Sequence, residues 1–209
     1  PGGQWWIMYH AYKKNAHAIG RHTVMEPIEW TKGGWYRTVK DLDVTHIKPM
    51  TIDISDNFEA NKIGWQWAGW KEPIINFVTT KKGSAIIPAA GTTPKDGRMM
   101  IAAAPDYKYT VETSLTLDKG NQAGLMLFYR PNAFVGVTCS KEIITIHKSA
   151  SSKDEILNKF GESLHLRLEN KGKSLTMSAS KDGKEWVVIY ENLDIADMHH
   201  NKLGDFISL

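Results

Sequence analysis

The residues best equipped for chemistry lie near the start of the chain. Along Gln4-Trp5-Trp6-Ile7-Met8-Tyr9-His10-Ala11-Tyr12 a period of two sets Trp6, Met8, His10 and Tyr12 on one face of a strand. In Ile19-Gly20-Arg21-His22-Thr23-Val24-Met25, Arg21 and Thr23 share a face with Ile19. If the two segments pair as a hairpin, His10 and Arg21 point into one aromatic-walled cavity. A planar, permanently charged guanidinium beside an imidazole suits a ligand carrying hydroxyls or a carboxylate. The same spacing fits a half-buried strand pair with a snorkelling arginine, and the residues alone leave both readings open.

Other chemically able side chains read as structural. Glu26 and Glu29 flank Pro27 at a strand end, a rim placement rather than an acid–base pair. Cys139, the one cysteine, lies in an apolar alternating run and reads as a buried, inert thiol; it excludes an intramolecular disulfide. His199-His200 look metal-like, but neighbours in a helix diverge by about a third of a turn, so a surface pair is expected. Of eight tryptophans, seven fall in the first seventy residues. Alternation puts Trp65 and Trp67 on one face of a strand with Gln66 opposite. Exposed and coplanar they would stack on sugar rings; covered they would fill a sheet, which is the expected role.

The elements that must position these groups are strands. Short alternating segments with turn punctuation recur along the chain, the all-β pattern. Gly33-Gly34 turns into Trp35 to Val39, and Pro27 is expected near the end of the second strand. Composition changes between Lys40 and Asp56, which places a linker there and a boundary near Ile47. Residues 64–70, 74–78 and 85–87 read as further strands. Tyr107 to Leu117 alternates cleanly, and the nearly continuous apolar run Asn121 to Tyr129 predicts a central, doubly covered strand. Ala133 to Ser140, Glu142 to Lys148, Ser163 to Glu169, Ser174 to Ser180 and Trp186 to Tyr190 follow, with Asp182-Gly183 as a hairpin turn. Asp154 to Lys159 and Ile195 to His200 are the helix candidates. This count of strands predicts a sandwich or jelly roll, whereas the first forty residues need neighbouring sheet to cover their aromatic faces.

The totals exclude some classes. Of 209 residues, 42% are hydrophobic and 23% charged, with a net charge of +3, an ordinary globular balance. The lysines are scattered rather than gathered into a basic stripe, so no nucleic-acid partner is expected. No run approaches the about 20 apolar residues of a membrane span. The chain opens at Pro1 rather than Met, so a preceding segment is expected.

Four linked motifs, Tyr9-His10-Ala11-Tyr12, Gly20-Arg21-His22-Thr23, Glu26-Pro27-Ile28-Glu29-Trp30 and Gly34-Trp35, resemble the end of the five-bladed β-propeller of family 43 glycoside hydrolases. That family includes β-xylosidases and α-arabinofuranosidases. Asp56-Asn57-Phe58, Gly64-Trp65-Gln66-Trp67 and Gly124 to Tyr129 resemble the concanavalin-A-like sandwich appended to many of them. The resemblance implies residues 1–46 as the remnant of a last propeller blade plus linker. Residues 47–209 become a concanavalin-A-like jelly-roll β-sandwich, which stops at Phe206-Ile207-Ser208-Leu209 without the final strand usual in relatives.

By the same resemblance, His10 can ligate a structural Ca²⁺ on the propeller axis and Arg21 reaches a sugar hydroxyl. Phe134, in the Arg130 to Phe134 hairpin, would narrow the pocket mouth. The family hydrolyses with inversion, between carboxyls about 6.5–9.5 Å apart, and its three catalytic carboxylates belong to blades before Pro1. The expected partners are a xylo- or arabino-oligosaccharide and the rest of the propeller, and the expected location is periplasmic or extracellular. Three functions follow: an accessory part of a plant-polysaccharide hydrolase, a carbohydrate-binding module, or a sandwich that only braces the propeller.

Overall fold

Aromatic and β-branched side chains build the first sheet. The computed structural model describes residues 3–12, 21–39, 53–60, 62–118 and 120–203. Strands β1 (Trp5–Ala11), β2 (His22–Trp30) and β3 (Tyr36–Thr38) form an antiparallel sheet in that order. Thr31 closes the β2–β3 turn, its hydroxyl donating to the Trp35 carbonyl at 2.8 Å. Pro27 lies inside β2 rather than near its end, paired with Trp6. Its carbonyl accepts from the Val39 N–H at 2.9 Å, on the β3 side. An antiparallel residue directs N–H and C=O to the same neighbour, so the missing proline donor faces the chain beyond Thr38 and costs no bond to β1.

Between the first sheet and the sandwich the chain is less regular than its apolar runs predict. Of residues 64–70 only β4 (Ala68–Gly69) is strand, paired with β7 (Met100–Ile101). Ile74–Asn76 is a 3₁₀ turn after Pro73, and β5 (Thr79–Thr80) pairs with β6 (Ala85–Ile86). The Phe77 and Val78 N–H groups both bond the Ile74 carbonyl, which turns these neighbours inward together while Ile75 faces solvent. A short apolar run is compatible with either geometry, and here the proline decided it.

Eight longer strands make the sandwich. One sheet runs β12 (Lys153–Leu157), β11 (Ile143–His147), β10 (Ala133–Cys139), β9 (Ala123–Arg130). The other runs β15 (Val187–Asp194), β14 (Ser174–Ser180), β13 (Ser163–Asn170), β8 (Tyr109–Thr116). Alternate residues of both sheets meet in one core, with Val137, Ile144, Leu166, Leu168, Leu175 and Met177 almost wholly buried. Each such side chain contributes about 1.5–3 kcal/mol on burial. Gly136 in β10 sits at φ 147°, and a Cβ there would meet the Leu125 carbonyl oxygen at 2.4 Å. Two strands approach too closely for any side chain at that point.

The sandwich corrects three expectations. In the run Asn121 to Tyr129 the first four residues are exposed and only Leu125 to Tyr129 are partly covered, and among the described residues β9 is the edge of its sheet and not its centre. Residues 154–159 were expected to be helical, yet Lys153–Leu157 is a strand whose ladder with β11 outweighs local helix propensity. Lys148 to Asp154 (2.9 Å) and Lys153 to Glu155 (2.7 Å) are its ion pairs. Residues 195–199 form a turn, and the helix α1 spans only His200–Leu203. Asp182-Gly183 does turn a hairpin, though a wider one than two residues: Asp182 accepts N–H bonds from Lys184 and Glu185 at 2.8 and 3.0 Å. Among the described residues, no helix is long and apolar enough to cross a membrane. The expected boundary near Ile47 and the chain end after Gly204 lie outside the described residues.

Candidate functional site

Pairing in the first sheet brings the predicted groups to one face. His10 stands opposite Thr23, and Trp6 and Met8 stand opposite Pro27 and Met25. One step beyond the end of β1, the Arg21 guanidinium lies 6.0 Å from the Tyr12 ring centroid, the outer limit of a cation–π contact. His10, Thr23 and Arg21 are all exposed. The face therefore offers an imidazole, a hydroxyl and a guanidinium beside an aromatic ring, a set able to donate to and accept from sugar hydroxyls. Ile19 lies outside the described residues.

The neighbouring glutamates do not add an acid–base pair. Glu26 stands opposite Ile7 and Glu29 opposite Arg37, so residues three apart on β2 point to opposite sheet faces. Glu29 is ion-paired with Arg37. Glu26 accepts a hydrogen bond from the Tyr9 phenol, the main cause of that phenol's raised pKa. Calcium prefers six to eight oxygen ligands, and among the described residues no three His, Cys, Asp or Glu side chains gather to hold a metal. His10 with Thr23 does not fit a cation site by itself.

A second group centres on Asp56. Its carboxylate accepts the Phe58 N–H at 2.8 Å, the Trp67 indole N–H at 2.9 Å and the Gln66 amide at 3.4 Å. The Phe58 ring packs on Trp67 with centroids 6.1 Å apart. Residues 64–67 thus form a braced turn rather than a strand, and the two tryptophans part company. Trp67 is half-buried against Phe58, whereas Trp65 is 79% exposed, contrary to the expected core role. Beside Trp67 an open, apolar cleft of about 570 Å³ is lined by Lys71, Glu72, Pro73 and Ile75, among others. The bracing role of Asp56 escaped the sequence reading, although an acidic residue two positions before Phe58 is the signature of a local carboxylate-to-backbone turn.

Phe134 is only 2% exposed. It stacks on Phe128 with centroids 6.3 Å apart and meets the edge of His147 at 5.7 Å, while Trp70 covers Phe128 at 5.0 Å. Its place is a second apolar layer on the outer face of β9–β11, which removes its ring from any pocket mouth. His147 bonds the Thr138 hydroxyl at 2.9 Å, and burial lowers its pKa. His199 is likewise buried rather than at the surface. Cys139 is buried as expected.

Residues 55–207 match the family model described as the beta xylosidase C-terminal concanavalin A-like domain. The chain belongs to this family.

Solved structures extend the likeness beyond the domain itself. The GH43 protein BlXynB of Bacillus licheniformis superposes with a TM-score of 0.76 at 16% identity, over 98% of this chain and 45% of that one. The xylan beta-1,4-xylosidase of Bacillus halodurans C-125 does so with a TM-score of 0.74 at 16% identity, over 96% and 45%. A GH43_12 protein retrieved from a capybara gut metagenome gives 0.69 at 18% identity, over 94% and 44%. At such identities the likeness is one of fold. The concanavalin A-like domain ends well short of 98% of the chain, so the first superposition takes in the β1–β3 sheet as well. The chain spans less than half the length of these structures. A search among curated proteins returned no match.

Proposed function

We propose that this chain is the C-terminal accessory portion of an inverting glycoside hydrolase acting on xylose- or arabinose-containing polysaccharides or oligosaccharides. The β1–β3 sheet is the end of its propeller, and the catalytic carboxylates come from outside the 209 residues. The observation that carries the reading is the shared face of His10, Thr23 and Arg21 on a sheet joined to a sandwich of the β-xylosidase C-terminal family. Arg21 binds a sugar hydroxyl at a subsite completed by the rest of the propeller. Any calcium near His10 takes its oxygen ligands from there too. The sandwich braces the propeller, and the parent enzyme degrades xylan in the periplasm or outside the cell.

The test is hydrolysis of nitrophenyl xyloside and arabinofuranoside by the full chain. No turnover is expected. Turnover that disappears in Glu26→Gln or Glu29→Gln would overturn the reading.

One observation favours a second reading, a sandwich that itself binds carbohydrate: Trp65 is exposed on a turn held rigid by Asp56. A fixed indole loses little freedom when a sugar ring stacks on it.

A further inference from the structure

A row of rings crosses the outer face of the β9–β12 sheet, from Trp70 through Phe128 and Phe134 to His147. Trp70 belongs to a strap, residues 67–101, whose short strands pair only with each other, β4 with β7 and β5 with β6. Among the described residues the strap shares no strand ladder with the sandwich, so side-chain packing holds it on the sheet. Segments held in this way open at lower free energy than the laddered core. That core lies on the other face of the same sheet, at Val137, Ile144 and Ile146.

The last ring of the row is the one that can change charge. His147 is only 8% exposed, and its Nε2 is bonded to the Thr138 hydroxyl of β10 at 2.9 Å. Its charged neighbours stand on β12, with Lys153 directly opposite and Glu155 two residues along. Glu155 is engaged by Lys153 at 2.7 Å and Asp154 by Lys148 at 2.9 Å, so neither carboxylate is free to receive an imidazolium. On the strap, Lys71 lies over Trp70, and Glu72 pairs with Arg98. Burial, and then Lys153, lowers the His147 pKa below its ordinary 6.5, and Glu155 only opposes this. A histidine depressed in this way stabilises the closed state fully above pH 6.5, and progressively less as the pH falls toward its own lower value. A cation buried against Phe134 with no counter-ion has to be hydrated.

We propose that His147 is an acid-operated latch: its protonation admits water to the ring row and releases the strap from the sheet, while the sandwich core stays closed. This rests on no part of the proposed function. Hydrogen–deuterium exchange of the full chain between pH 7.5 and pH 5 tests it, each rate being divided by the intrinsic exchange rate at that pH. Protection of residues 67–80, where the Trp70, Phe77 and Val78 amides are hydrogen-bonded, is expected to fall at least about threefold toward pH 5. Protection of β13 and β14 is expected to hold. In His147→Gln, which can still bond Thr138 but takes up no proton, the fall should vanish. In Lys153→Met, which removes the repelling cation and frees Glu155, it should shrink. Far-ultraviolet circular dichroism identifies a variant that fails to fold, and the other variant then carries the comparison. Protection of the strap that does not change with pH overturns the proposal. So does a fall that β13 and β14 share equally, or one undiminished in a folded variant.

Discussion

The Trp67 indole donates to the Asp56 carboxylate across 2.9 Å, tying residues 56–58 to residues 64–67. The same carboxylate also holds the Phe58 N–H, so one acid fixes both segments. Asp56→Ala should therefore leave a half-buried indole donor and a turn N–H unpaired, costing about 1–3 kcal/mol. Asp56→Asn keeps an acceptor and should recover part of the loss. Urea denaturation of the three proteins measures this; equal stability of wild type and Asp56→Ala would show that the carboxylate braces nothing.

Trp65 stands on that brace without packing. Trp65→Ala should change stability by no more than about 0.5 kcal/mol. In calorimetric titrations with xylo- and arabino-oligosaccharides, the bracing role proposed for the sandwich implies weak heats or none from the wild-type chain. Micromolar affinity abolished by Trp65→Ala would establish the carbohydrate-binding reading instead.

Cys139 supplies a prediction with a defined pH sign. Burial pushes its thiol up from the ordinary 9.0 to about 12. A thiol kept neutral in the native state and ionised more readily when unfolded contributes its full stability below pH 9.0, and loses it as the pH climbs toward 12. Cys139→Ala should flatten the alkaline limb of a stability–pH curve. The wild-type thiol should resist Ellman's reagent until the chain is unfolded by guanidinium chloride; rapid native-state labelling would contradict its burial.

Much of the fold was legible because period-2 alternation is a local property. The core positions of β10, β11, β13 and β14 follow directly from it, as does the grouping of Trp6, Met8 and His10 within β1 and of Arg21 with Thr23 at the start of β2. The misreadings have local causes too. Lys153–Leu157 carries helix-favouring residues, but its backbone groups are paired by β11. Ile74 to Val78 alternates acceptably as a strand, but Pro73 begins a 3₁₀ turn. The opposite facing of Glu26 and Glu29 was available from parity alone once β2 ran unbroken through Pro27.

By itself, the sequence determined the all-β class, the sandwich core, and the motif series that points to one hydrolase family. Only the tertiary structure decided which aromatic residues are free. Trp65 and Trp67 are two residues apart, yet one is in solvent and the other is bound to Asp56. Phe134 lies in a hairpin that resembled a pocket lip, yet Phe128 and His147 close over it. The reason is that alternation states which side chains share a face, whereas exposure depends on whether a distant segment folds across that face. For the candidate site, pairing of β1 with β2 set His10 opposite Thr23 with Arg21 at the same end, a juxtaposition the spacing allowed but register alone could establish.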